Sequence, residues 1–150
     1  MLSEDDQTTL RLTMRWPKAF PGLIARSVSW QKSFPGVASE VGEARRFLAG
    51  HLNGCPVADD ALACLSELAA NAVIHSDSRL PGGSFEVRGS TSPVGRLRIE
   101  VTDQGGPWHP VADPSGQHGR GLLIVANLAT DWGITGGEVS RTAWLELGGS

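Results

Sequence analysis

Apolar residues recur every three to four positions in two segments of the first half of the chain, which predicts two amphipathic helices. The first helix is expected after Ser39, which could serve as its N-cap. Its apolar face comprises Val41, Ala44, Phe47, Leu48 and Leu52. The second helix is expected to open at Pro56 and to run to His75. One arc of it comprises Ala61, Cys64, Leu65, Leu68, Ala69, Ala72 and Val73.

Alternating apolar and polar residues predict strands elsewhere in the chain. An edge strand is expected over 26–34, ahead of the Pro35-Gly36 turn signal. Further strands are predicted over 84–90, 96–102, 132–134 and 142–147, and a short apolar helix over 122–128. Helices on one face of a mainly antiparallel sheet give a two-layer α/β sandwich. The strand tryptophans that we expect in the core are Trp30, Trp132 and Trp144.

Length and composition favour one compact domain. The chain has 150 residues and 40% hydrophobic content, which suffices for an ordinary core. Residues 1–24 mix proline, glycine and aromatic residues without a clear period. We therefore divide the chain into an N-terminal extension over 1–24 and a domain over 25–150.

Charge and cysteine usage narrow the classes of partner and the location. A net charge of −3 and a pI of about 5.8 provide no basic patch for nucleic acid or an anionic membrane. No apolar run approaches the roughly 20 residues that span a bilayer, and the acidic start of the chain lacks a signal pattern, so we expect a cytoplasmic protein. Cys55 and Cys64 have no zinc-site spacing, which indicates reduced thiols.

The second predicted helix carries three polar side chains at four-residue spacing, Glu67, Asn71 and His75. At about 100° per residue they follow the edge of the apolar arc. One such residue would be an ordinary solvated flank. Three in register, with asparagine inside a helix that it does not favour, indicate a binding surface.

Two glycine-containing segments could also contact a ligand. The strand predicted over 96–102 leads into Asp103-Gln-Gly105-Gly106-Pro107, where an acid precedes glycines that permit close backbone approach. Alone, this sequence is ordinary turn chemistry. The segment Gly119-Arg120-Gly121-Leu122 directly precedes a predicted helix, whose free amides could bind an anion, although a flexible loop explains it equally well.

Familiar catalytic and nucleotide-binding motifs are missing from the sequence. It contains no GxxxxGK[ST] and no GxGxxG after a strand. GxSxG and HExxH are absent too. What remains is an order along the chain: an acid/amide helix, a strand-Asp-Gly turn and a glycine-rich helix start.

That order resembles the GHKL superfamily of gyrase-type, chaperone, histidine-kinase and mismatch-repair ATPases, over roughly residues 27–147. Within it, the Glu-x-x-x-Asn helix, the Asp-x-Gly turn and the Gly-x-Gly segment are similar to those of small stand-alone bacterial anti-sigma factor serine/threonine kinases. The resemblance implies ATP and Mg²⁺ as cofactors and a Bergerat-type ATP-binding fold.

The resemblance also implies roles for particular residues. Glu67 would be the general base, Asn71 would ligate magnesium, and Asp103 would bind adenine while Gly105 keeps the backbone clear of the base. His75 matches a position that is often histidine. The remaining nucleotide contacts would come from Gly119, Arg120, Gly121, Leu122 and Thr142.

The partners implied by the resemblance are a sigma factor and a STAS-like anti-sigma factor antagonist, with a homodimer possible. The expected activity is phosphorylation of a serine on the antagonist, which regulates transcription by partner switching. The alternative is a nucleotide-binding regulatory module without phosphoryl transfer. The chain departs from the family pattern at Pro107 and has a short lid segment over 107–118, so we expect weak activity.

Overall fold

The computed structural model describes residues 27–106 and 117–148, and within the second range it describes side chains from Leu122 onward. The predicted N-terminal extension, over 1–24, lies outside the described residues. So do Pro107 and most of the predicted lid segment, over 107–116.

The described chain contains three α-helices, one 3₁₀ turn and five strands. In order they are β1 (Val28–Pro35), α1 (Glu40–Ala49), α2 (Ala58–His75), a 3₁₀ turn (Asp77–Arg79), β2 (Ser84–Thr91), β3 (Leu97–Asp103), α3 (Gln117–Leu128), β4 (Asp131–Gly136) and β5 (Arg141–Leu147).

The strands form one sheet in the order β1-β2-β3-β5-β4, and every neighbouring pair is antiparallel. Along β3, Leu97, Ile99 and Val101 are buried and their neighbours are partly exposed. This alternation gives the sheet one face covered by helices and one face toward solvent. The predicted two-layer α/β sandwich is confirmed.

Helix α2 is the central element of the helical layer because it contacts β2, β3, α1 and α3. Six of its apolar residues are buried: Ala61, Cys64, Leu65, Leu68, Ala69 and Ala72. The same core contains Phe34 of β1, which stacks on Phe85 of β2 with ring centroids 5.5 Å apart. The core thus holds α2 firmly against β3, and residues at its C-terminal end are placed by a rigid helix.

Several sequence predictions need correction. The Ser39 side chain makes no cap hydrogen bond, because its backbone already has helical angles of φ −64° and ψ −21°. Trp132 is 37% exposed on the edge strand β4, and Trp144 lies on the outer sheet face beneath the Arg98 guanidinium. Only Trp30 of the three strand tryptophans is buried.

No helix in the described part of the chain is long and apolar enough to cross a membrane. Cys55 and Cys64 are both buried and free, as expected for reduced thiols. Burial raises the pKa of the Cys64 thiol to about 11.

Candidate functional site

A small cavity of about 40 Å³ lies between the end of α2 and the centre of the sheet. It draws residues from five elements. Its lining is Leu68, Asn71 and His75 of α2, Val101 and Asp103 of β3, Leu122 of α3, Ile134 of β4, and Arg141 and Ala143 of β5. The cavity therefore joins the polar helix edge to the strand-Asp turn, two features far apart in the sequence.

The polar stripe of α2 borders the core as predicted. Glu67, Asn71 and His75 are each partly exposed, whereas Leu68 and Ala72 beside them are buried. Asn71 and His75 line the cavity, and Glu67 lies one turn earlier on the same helix edge. A rigid helix thus presents an acid, an amide and an imidazole along one line.

Asp103 ends β3 on the cavity side of the sheet. Its Oδ1 accepts a hydrogen bond from the Gly105 amide at 2.7 Å, and its Oδ2 lies 3.7 Å from Nε of Arg141. Burial raises the pKa of the Asp103 carboxyl, although the Gly105 amide and Arg141 act in the opposite direction. The carboxylate acceptor is therefore lost at a less acidic pH than for an ordinary aspartate.

Position 105 requires glycine for two reasons, the conformation of the backbone and the lack of space for a side chain. Its φ of +68° belongs to the left-handed region, and a Cβ there would lie 2.5 Å from the Glu138 carbonyl oxygen. The Gly105 carbonyl accepts from the Asp77 amide at 2.9 Å, and the Gly106 amide donates to Glu138 at 2.7 Å. The glycine pair thus lets three backbone segments meet beside Asp103.

Two buried serines fix the turn between α2 and β2 against this segment. Ser78 Oγ accepts from the Gln104 amide at 3.0 Å, and Ser76 Oγ accepts from the Ser78 amide and donates to the Ala72 carbonyl. The sequence analysis ended the second helix at His75 and predicted none of these contacts. A serine directly after a helix, two residues before another serine, is a weak signal of such local capping.

Thr142 is not brought together with Asp103. In the ladder Thr142 pairs with Thr102, and their hydroxyl oxygens are 2.8 Å apart on the outer face of the sheet. Because side chains alternate between faces, the residue opposite Asp103 on the cavity side is Arg141. Sequence reasoning missed Arg141, and only the strand register could have indicated it.

The glycine-rich segment lies inside a helix rather than before one. Helix α3 begins at Gln117, so Gly119, Arg120 and Gly121 belong to its first turns and Leu122 reaches the cavity. The predicted helix start at residue 122 was wrong by five residues. The first turn of a helix still carries amides without intrahelical partners, which suit an anion, and Gly119 lies in that turn whereas Gly121 lies beyond it.

The residues around the cavity suit a magnesium ion held mainly by phosphate. The described residues contain no group of three His, Cys, Asp or Glu side chains able to hold a metal by themselves. Magnesium commonly takes one or two protein oxygens and completes its shell with phosphate and water. The cavity offers side-chain oxygens from Asn71 and Asp103, and because Gly105 and Arg141 engage Asp103, Asn71 would take this role.

The chain matches one known protein family. The family described as "Histidine kinase-like ATPase domain" matches residues 34–145. No curated protein matches the chain.

Among solved structures, the fold is similar to that of the RsbU and RsbW domains of Rv1364c from Mycobacterium tuberculosis, with a TM-score of 0.64 and 21% identity. That similarity covers 80% of this chain and 32% of the other chain. The family match includes all of α2 and β3 and every residue that lines the cavity. The chain belongs to the histidine kinase-like ATPase domain family.

Proposed function

We propose that the chain binds Mg²⁺-ATP in this cavity and transfers the γ-phosphoryl group to a serine of a partner protein. The observation that carries the proposal is the shared cavity of Asn71 and Asp103, which come from different elements. The family match adds an ATPase fold to this geometry.

Asp103 is the residue that would recognise adenine. Its Oδ1 accepts from the Gly105 amide at 2.7 Å, and its Oδ2, 3.7 Å from Arg141 Nε, is the oxygen that we assign to adenine. A carboxylate oxygen accepts from the exocyclic amino group of adenine, which guanine lacks at that position. This chemistry favours ATP over GTP.

Asn71 and Glu67 would act at the phosphate groups of the bound nucleotide. Asn71 offers its carbonyl oxygen to magnesium, which when bound neutralises phosphate charge. Glu67, one helical turn away, would accept the proton of the attacking serine hydroxyl. His75, at the C-terminal end of α2, would border the base, and the first turn of α3, which includes Gly119, would supply amides to the phosphates. Arg120 and Gly121 follow that turn in the same helix.

The proposed partners follow from the sequence resemblance to anti-sigma factor kinases. The acceptor would be a STAS-like anti-sigma factor antagonist, and the unphosphorylated antagonist would compete with a sigma factor for this chain. Such a cycle takes place in the cytoplasm. The structural likeness to a chain that contains an RsbW domain is compatible with this proposal.

A phosphotransfer assay tests the proposal. The purified protein would be incubated with γ-labelled ATP, magnesium and each STAS-domain protein of the same organism. We expect magnesium-dependent labelling of one acceptor, lost when its acceptor serine is replaced with alanine. Absence of labelled acceptor across the whole set, with an active kinase as positive control, would contradict the kinase assignment.

A second candidate is a nucleotide-binding regulatory module that transfers no phosphate. The observation that favours it is the position of Glu67, which is on the stripe but not among the cavity residues. In that case ATP would change the affinity for partner proteins while no acceptor became labelled.

A further inference from the structure

Arg141 and Asp103 form a charged pair on the inner face of the sheet. They lie opposite each other in the β3–β5 ladder, and their side chains are only 11% and 14% exposed. A nearly buried charge is costly unless an opposite charge accompanies it. The other inner-face pairs of this ladder are apolar: Val101 with Ala143, Ile99 with Leu145, and Leu97 with Leu147. Arg141 therefore contributes charge at a place where the rest of the ladder contributes packing.

The Arg141 guanidinium lies beside the turn that begins at Asp103. Its Nε is 3.7 Å from Asp103 Oδ2, and its Nη2 is 3.5 Å from the Gly105 carbonyl oxygen. The other carboxylate oxygen, Oδ1, accepts from the Gly105 amide at 2.7 Å. The short bond from the amide orients the carboxylate, whereas a guanidinium nitrogen at 3.7 Å acts on it mainly through its charge.

Asp103 faces charged or titratable groups from three other elements. Arg141 of β5 is a cation, Asp77 of the 3₁₀ turn is an acid, and His75 of α2 lines the same cavity. Burial raises the pKa of the Asp103 carboxyl, the Gly105 amide and Arg141 lower this pKa, and Asp77 raises it. Arg141 thus offsets part of the effect of burial and of the neighbouring acid.

We infer that Arg141 is a positioning residue that acts through Asp103, keeping it a charged acceptor for the amino group of adenine. The inference rests on the proposed function, because it concerns the residue that we assign to the base. The carboxylate form exists above the pKa of Asp103 in the folded protein and is lost as the pH falls through that pKa. Arg141 therefore extends adenine binding toward more acidic pH.

Two measurements on Arg141→Met and Arg141→Lys test this role. Carboxyl ¹³C NMR follows the titration of Asp103 without any ligand, and the signal is identified by its loss in Asp103→Asn. Calorimetry gives the Kd for ATP and for adenosine at neutral and at mildly acidic pH. Adenosine carries no phosphate, so titration of the phosphates does not affect its pH dependence.

In Arg141→Met we expect the proton affinity of Asp103 to rise ~10-fold, the smaller end of what a neighbouring opposite charge contributes. At mildly acidic pH the Kd for both ligands should therefore rise up to ~10-fold relative to wild type, with a smaller change at neutral pH. Arg141→Lys keeps the charge and should restore most of the wild-type pH profile. The matched control is Arg88→Met, which removes an exposed arginine paired with Glu86 at 3.6 Å and should change neither measurement.

Several results would overturn the inference and leave the proposed function intact, provided that wild type binds ATP. These are an unchanged titration of Asp103 in Arg141→Met, equal weakening at both pH values, tighter binding, or an effect on ATP without one on adenosine. Failure of wild type to bind ATP or adenosine would remove the proposed function and this role together. Thermal melts establish that each variant is folded, and Arg141→Gln replaces Arg141→Met if the methionine variant does not fold.

Discussion

Replacing Glu67 with glutamine is expected to lower the rate of phosphoryl transfer at least ~100-fold, the smaller end of what a general base contributes. Glutamine keeps the size of the side chain and its place on the partly exposed edge of α2, so the fold should be unaffected. The Kd for ATP should stay within about threefold of wild type, because the lost group acts on the attacking hydroxyl and not on the nucleotide. Transfer to an acceptor serine and calorimetric ATP affinity are measured on the same preparation.

Glu43→Gln provides the matched control for this change. Glu43 is an exposed acid of α1 that pairs with Arg46, away from the cavity. Its substitution should leave transfer unchanged. Full transfer activity in Glu67→Gln would contradict the assignment of Glu67 as the base, even if ATP binding were normal.

Replacing Asp103 with alanine is expected to weaken ATP binding about 10- to 100-fold, the range of a lost hydrogen bond to a charged group. Alanine also removes the acceptor for the Gly105 amide, so part of the loss would come from a loosened turn. Asp103→Asn separates the two effects, because its carbonyl oxygen can still accept from Gly105. We expect Asp103→Asn to retain stability and still bind ATP less tightly than wild type.

Asp131→Asn is the control for this pair, since Asp131 is an exposed residue at the start of the edge strand β4. It should bind ATP as wild type does. Wild-type affinity in both Asp103 variants would show that this carboxylate does not contact adenine.

The sequence was most informative for elements whose periodic apolar residues all pack against one continuous core. The 3.6-residue period of α2 located its buried arc and, with it, the partly exposed edge of Glu67, Asn71 and His75. The strict alternation along β3 likewise placed Asp103 at the end of a half-buried strand. In both elements the pattern and the tertiary packing select the same face.

Other features depended on tertiary contacts that no local pattern contains. Thr142 was expected near adenine, yet the register of β5 turns it to the outer face and turns Arg141 inward. Because side chains alternate strictly, a difference of one position reverses the face. The start of α3 was missed since glycines at 119 and 121 lower helix propensity, and the structure nevertheless continues the helix through them.

The proposed reaction divides its chemistry between two elements of the fold. Helix α2 is held by six buried residues and carries the polar stripe, while β3 carries Asp103, which we propose recognises the base, on the adjoining face. A rigid layer therefore fixes the distance between the base end and the phosphate end of a bound nucleotide.

The central claim is that this cavity binds magnesium-dependent adenine nucleotide, and calorimetric titration of the purified protein with ATP tests it most directly. The titration is run with magnesium and with chelator. We predict saturable binding that weakens when magnesium is removed, because Asn71 would share the ion with the phosphates. No heat of binding at millimolar ATP with magnesium, from a protein that melts cooperatively, would contradict the claim.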